Sequence, residues 1–92
     1  MAKVRAHLEI MGQVQGVCFR WAATEEAERL GLTGWIRNLH NGHVEAVVEG
    51  DEKEVDAMID WCYIGPPGAR VIKVQVQRGI ARGEFTGFGV TY

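Results

Sequence analysis

The chain has 92 residues, room for one domain (1–92) and too few for two. Ten Lys and Arg against twelve Asp and Glu leave a net charge of −2, which excludes a general field for nucleic acid or membrane. Apolar residues make up 47% of the chain and no run approaches the ~20 residues of a membrane span, so a soluble cytoplasmic domain is expected.

Met1-Ala2-Lys3-Val4-Arg5 leads straight into an alternating pattern, without a signal-peptide core. Over residues 3–11, Val4, Ala6, Leu8 and Ile10 share one face, with Lys3, Arg5, His7 and Glu9 on the other, which predicts a half-buried strand. From about Phe19 to Leu30 the period becomes helical. Phe19, Ala23, Ala27 and Leu30 form one stripe, and Gly31 stops it. Two strands, 32–39 and 43–49, flank the hairpin signal Asn41-Gly42. Asp51 and Glu54 resemble a capping box before Val55, Met58, Ile59 and Cys62, and Gly65-Pro66-Pro67-Gly68 ends that second helix. Ile72, Val74 and Val76 alternate in a further strand, Gly79 to Gly83 reads as a turn, and Phe88, Val90 and Tyr92 alternate in a short last strand.

The order is βαββαβ with one terminal strand added. Two helices on one face of an antiparallel sheet satisfy it, a ferredoxin-like α+β sandwich with strand order 4-1-3-2. A right-handed crossover makes the first two strands parallel, with the third between them. The exit of strand 1, the start of helix 1 and the end of strand 2 then share one edge.

That edge carries Gly12-Gln13-Val14-Gln15-Gly16-Val17-Cys18-Phe19-Arg20. Glycines at 12 and 16 permit a loop whose amides turn towards one point, and a helix start adds unpaired N–H groups. Arg20 supplies a planar fork for phosphate or carboxylate oxygens. The alternative for Arg20 is a solvated side chain pairing with Glu25, although a cation near a helix N-terminus is unfavourable. Asn38, in phase with Gly34 and Ile36, reaches the same edge, and its alternative is ordinary turn chemistry.

The remaining reactive side chains read as structural. His40 and His43 flank the turn and can face each other, His7 lies on the polar face, and no zinc set results. Cys18 reads as a small apolar filler rather than a nucleophile. A Cys18–Cys62 bridge stays open, while the compartment favours two thiols. Trp21, Trp35 and Trp61 read as packing residues.

These residues resemble the acylphosphatase family. Gly12 to Arg20 fits the pattern G-x-V-Q-G-V-x-F-R throughout. Gly34-Trp35-Ile36-Arg37-Asn38, followed by Gly42, Val44 and Gly50, fits the second pattern, with Ile36 bulkier than the usual small residue. The resemblance spans the whole chain. It implies hydrolysis of a carboxyl-phosphate anhydride to carboxylate and phosphate, with Arg20 and Asn38 as the catalytic pair. The amides of Gln15, Gly16, Val17, Cys18 and Phe19 would hold the phosphate. It implies no cofactor and no metal, a small-molecule acyl phosphate as partner, and phosphate or sulfate as competing anions; a chain of 92 residues with this core can stand as a monomer, the expected state. The chemistry is coherent, because a carboxylate whose conjugate acid has a pKa of about 4 leaves without a proton. Asn38 can orient a water but not deprotonate it, so the substrate phosphate is the expected proton acceptor.

Two rivals share the topology. An RNA-recognition domain would stack bases on aromatic side chains of the central strands, where this chain places Lys3, Arg5, His7, Glu9, His43, Glu45, Val47 and Glu49. The other rival is an acylphosphatase-like domain that binds an anion without turnover.

Overall fold

Alternation in the first strand sets the centre of the fold. The computed structural model describes residues 3–92, so Met1 and Ala2, where the N-terminal reading begins, lie outside it. Strand β1 (Lys3–Gln13) pairs antiparallel with β3 (Val44–Asp51) on one side and with β4 (Arg70–Ile80) on the other. Strand β2 (Thr33–Asn38) lies outside β3, and β5 (Phe88–Val90) pairs parallel to β2. The sheet order β4-β1-β3-β2-β5 contains the expected 4-1-3-2 arrangement and adds the terminal strand beside β2.

Helices α1 (Phe19–Arg29) and α2 (Glu52–Ile64) cover one face. Helix α1 packs over β2 and β5, and α2 over β1 and β4. Ala6, Leu8 and Ile10 meet Phe19, Ala23 and Ala27 of α1 and Val55, Met58 and Cys62 of α2 in one core. Helix α1 ends at Gly31, where Leu32 N–H donates to Ala27 O and Gly31 N–H to Glu28 O, a glycine stop that satisfies the last carbonyls.

Five local expectations change. Gly12 sits in a β-bulge, where a Cβ would come within 2.1 Å of Arg70 O. The pairing steps from Met11–Lys73 to Gly12–Val71, so Val71 turns to the core and Ile72 is exposed instead of buried. Gly79 is no turn residue, because it pairs with Arg5 inside β4. Asp51 is the N-cap of α2 without a side-chain cap bond, its carboxylate lying 3.4 Å from Lys3 Nζ. Tyr92 lies beyond β5, which ends at Val90. The hairpin is a three-residue loop, with Leu39 N–H on His43 O at 2.8 Å and Gly42 N–H on Leu39 O at 3.2 Å.

The open face of the sheet is held by charge. Glu49 is 4% exposed and accepts from Arg5 Nη1 at 2.9 Å and from the N–H groups of Arg82 and Gly83 at 3.0 and 3.1 Å. Glu45 accepts from His7 Nε2 and Arg37 Nε, both at 2.6 Å. His43 therefore does not face His40; its Nδ1 meets the Glu9 carboxylate, and His40 is exposed. Trp35 lies on this face with Arg37 stacked 5.4 Å from its ring, outside the core expected for it. The charges of β1 and β3 are thus engaged with one another rather than displayed to a nucleic acid.

Burial raises the pKa of Glu49, but its amide and Arg5 donors outweigh that and hold the carboxyl below its ordinary value. A depressed folded-state pKa means stability that is present above the unfolded value of about 4.3 and lost as pH falls below it. The urea midpoint is therefore expected to drop from about pH 5 downwards. Glu49→Gln should cost about 1–3 kcal/mol at neutral pH and flatten that acid dependence in part. An unchanged slope in the variant would remove Glu49 from the account.

Candidate active site

Between β1 and α1 the chain alternates between anchors and free backbone. Val14 and Phe19 are buried, and Val17 packs partly against the core. Phe19 makes an edge-to-face contact with Trp61, centroids 5.4 Å apart, and so fixes the first residue of α1. Gly16 has φ 74° and stands free, which leaves its backbone open to an approaching group. Cys18 has φ 63° and ψ 24°, a left-handed conformation costly for a residue with a Cβ. It is the N-cap of α1 and exposed, so it is not the apolar filler expected from its neighbours. Its role is conformational: the left-handed residue turns the backbone into the helix with no side-chain cap.

Gln15 does more than contribute backbone. Its Nε2 donates to Leu39 O at 2.7 Å and to His43 O at 2.9 Å, the two carbonyls at the neck of the β2–β3 hairpin. Both amide hydrogens are thereby engaged. The loop is tied directly to the segment that carries Asn38.

Arg20 and Asn38 line one pocket of about 480 Å³, together with Gly16, Cys18 and Phe19 of the loop. Arg20 makes no ion pair among the described residues, so pairing with Glu25 is not observed, and its guanidinium lies 5.6 Å over the Tyr92 ring. Asn38 Oδ1 is buried without a hydrogen-bond partner among the described residues. Gly34 and Ile36, in phase with it, are buried on the helix side as the alternation predicts.

Cys62 lies buried at the far end of α2, and burial pushes its thiol up to about 12. Both cysteines are free, so the open question of a bridge closes in favour of thiols. Trp61 packs as expected, while Trp21 is 65% exposed beside the pocket.

Four pocket residues escape a sequence reading: Trp21, Thr24, Val90 and Tyr92. Parallel pairing explains the last two. Ile36 is level with Val90, so two residues further Tyr92 reaches the level of Asn38. Nothing in the local pattern of Phe88–Tyr92 distinguishes a parallel from an antiparallel neighbour. For Trp21 the signal was present, since it falls outside the apolar stripe of α1.

Known proteins resemble the whole arrangement. The family model described as Acylphosphatase matches residues 6–90. An acylphosphatase of Thermococcus kodakarensis is 57% identical over 77 residues, covering 84% of this chain and 85% of that protein. That of Pelotomaculum thermopropionicum is 47% identical over the full length of both. The crystal structure of acylphosphatase from Bacillus subtilis superposes with a TM-score of 0.93 at 28% identity, covering 97% of this chain and 99% of that one. A Coxiella burnetii acylphosphatase gives 0.91 at 36% identity, covering 98% and 94%. With its fold, both motifs and nearly its entire length in agreement, the chain belongs to the acylphosphatase family of hydrolases.

Proposed function

We propose that this pocket hydrolyses the carboxyl-phosphate bond of acyl phosphates, with the phosphoryl group held by Arg20 and the amides of Gln15 to Phe19 and the attacking water aimed by Asn38. One observation carries the reading: Asn38, whose Oδ1 is buried without a hydrogen-bond partner among the described residues, lines the same pocket as the loop and as Arg20, which makes no ion pair among those residues. A buried acceptor without a partner costs about 1–3 kcal/mol, and a turn of the Asn38 amide that let a water donate to it would recover that while the water presents a lone pair to phosphorus. A cation near a helix start is unfavourable until an anion joins it, which accounts for an arginine where structure alone would avoid one.

Each residue then has a limited task. The amides and the guanidinium spread the charge of the equatorial oxygens as the phosphorus–oxygen bond loosens. Water attacks in line, its oxygen bonding to phosphorus as the bond to the acyl oxygen breaks, and the electron pair leaves with the carboxylate. Both water protons finish on the phosphate: acyl phosphate dianion plus water gives carboxylate and dihydrogen phosphate. A carboxylate leaving group requires no general acid, so a pocket without a titrating acid–base pair suffices. Inorganic phosphate and sulfate would compete for the same cradle.

The residues named lie within one chain, so we take the monomer as the active unit. Free thiols at Cys18 and Cys62 support a reducing, cytoplasmic setting.

Benzoyl phosphate should be hydrolysed in excess EDTA, while p-nitrophenyl phosphate, whose leaving group is a poorer one, should turn over far more slowly. A metal requirement, or a preference for the ester, would contradict the mechanism. Arg20→Ala should lower kcat/KM by at least about 10³ and abolish inhibition by phosphate. Asn38→Ala should lower kcat by about 10²–10³ with phosphate inhibition changed only a few-fold, and full activity would end the water-holding role. Gln15→Leu tests positioning: kcat is expected to fall by about 10–10² while phosphate inhibition moves little, because the spacing to Asn38 is lost rather than the cradle.

A further inference from the structure

The hairpin that follows Asn38 is gripped at two points by β1 and the loop that leaves it. The Gln15 amide donates to the His43 carbonyl at 2.9 Å, and the His43 ring meets the Glu9 carboxylate through Nδ1. His43 is also bonded within its own hairpin. Its N–H donates to Asn41 Oδ1 at 3.0 Å, and its carbonyl accepts from Leu39 N–H at 2.8 Å. Glu9 lies directly across from Glu45 in the β1–β3 pairing, a like-charge neighbour that is unfavourable on its own. Glu45 has His7 and Arg37 as partners, whereas Glu9 has His43 alone among the described residues. A carboxylate only accepts, so Nδ1 is the donor of the pair. The two side chains are 29% and 26% exposed, which sets the pair apart from a freely solvated surface ion pair.

We infer that Glu9 and His43 are positioning residues for the reaction: the pair fixes the rotation of the hairpin neck, and with it the placing of Asn38 against the loop amides and Arg20. The inference rests on the proposed hydrolysis and adds to it two residues that do not line the pocket. Leu39 follows Asn38 directly, its N–H bonded to His43 and its carbonyl to Gln15. A neck held by Gln15 alone can pivot about that amide. A second hold, further back on the strand and applied to the ring rather than the backbone, removes the pivot. Strand β1 suits the task, since it pairs on both sides and Glu9 stands between the buried Leu8 and Ile10. Its side chain is on the open face of the sheet, whereas Asn38 is in phase with Gly34 and Ile36 on the helix side. The pair therefore reaches the pocket through the backbone, and its loss changes geometry there without removing a donor from the phosphate.

The test measures turnover of benzoyl phosphate and its inhibition by inorganic phosphate on the intact chain, Glu9→Ala, Glu9→Gln, His43→Ala, Gln15→Leu and the double variant Glu9→Ala/Gln15→Leu. Glu9→Ala and His43→Ala should each lower kcat about tenfold, within what a misplacement well under 1 Å produces, with the phosphate inhibition constant within about twofold. Glu9→Gln still accepts from Nδ1 and should recover most of the loss. In the double variant Glu9→Ala should add less than about threefold to the effect of Gln15→Leu, because the neck is already free. Exposed His40, in the same hairpin, is the control, and His40→Ala should leave every value unchanged. Circular dichroism checks folding, and if Glu9→Ala fails that check His43→Ala decides by the same criteria. An unaltered kcat in the folded alanine variants, a kcat for Glu9→Gln as low as for Glu9→Ala, an inhibition constant that moves as far as kcat, or full multiplication of the two effects would overturn the positioning role and leave hydrolysis standing. Failure of the unaltered chain to cleave benzoyl phosphate would overturn the hydrolysis and this inference together.

Discussion

The candidate site depends on one side chain that reaches across it. Gln15 binds the carbonyls of Leu39 and His43, joining the β1–α1 loop to the β2–β3 hairpin at its neck. Without that tie, the loop amides and Asn38 belong to segments that meet only through the sheet. Two hydrogen bonds from one planar amide fix orientation as well as distance, which a single bond does not. Buried Val14 and Phe19 on either side of the loop hold its ends, so the left-handed turn at Cys18 has little freedom to relax. Backbone strain and polar tie occur within four residues of each other, where the chain must present N–H groups rather than bury them.

Charge is distributed to the same end. Arg5, Arg29, Arg37 and Arg78 each have a carboxylate partner, and Glu49 and Glu45 lie among several donors. Arg20 has an aromatic ring instead. A guanidinium stacked on a ring keeps its in-plane donors available, because the ring occupies only its face. A chain of net charge −2 can therefore hold a local anion site without attracting polyanions in general.

Sequence periodicity carries the fold almost completely. The alternation of β1, the stripe of α1, the glycine stops and the order of elements follow from patterns that burial imposes residue by residue. Arg20 and Asn38 were legible as neighbours because a right-handed crossover leaves no other edge for them. What the pattern misses is non-local or geometric. Ile72 alternates correctly with Val74, yet the bulge at Gly12 removes it from the core from the neighbouring strand. Cys18 sits among apolar residues, and only backbone geometry shows that its place is a left-handed cap. The Gln15 amide spans 24 and 28 residues to its acceptors, beyond the reach of any local rule.

The two walls of the pocket are supported unequally. The wall that carries the loop and Arg20 stands on β1, which pairs on both sides, and on a helix start fixed by Phe19 in the core. The outer wall stands on β5, three residues paired along one edge and continued by the Thr91 N–H bond to Ile36 O. Elements with few buried contacts open at lower free energy than central strands. A phosphoryl group is the same in every acyl phosphate and gains most from fixed donors, since preorganised charge costs nothing to rearrange during reaction. Precision is thus built into the wall that carries the loop amides and Arg20, while the wall that carries Val90 and Tyr92 is the freer to adapt.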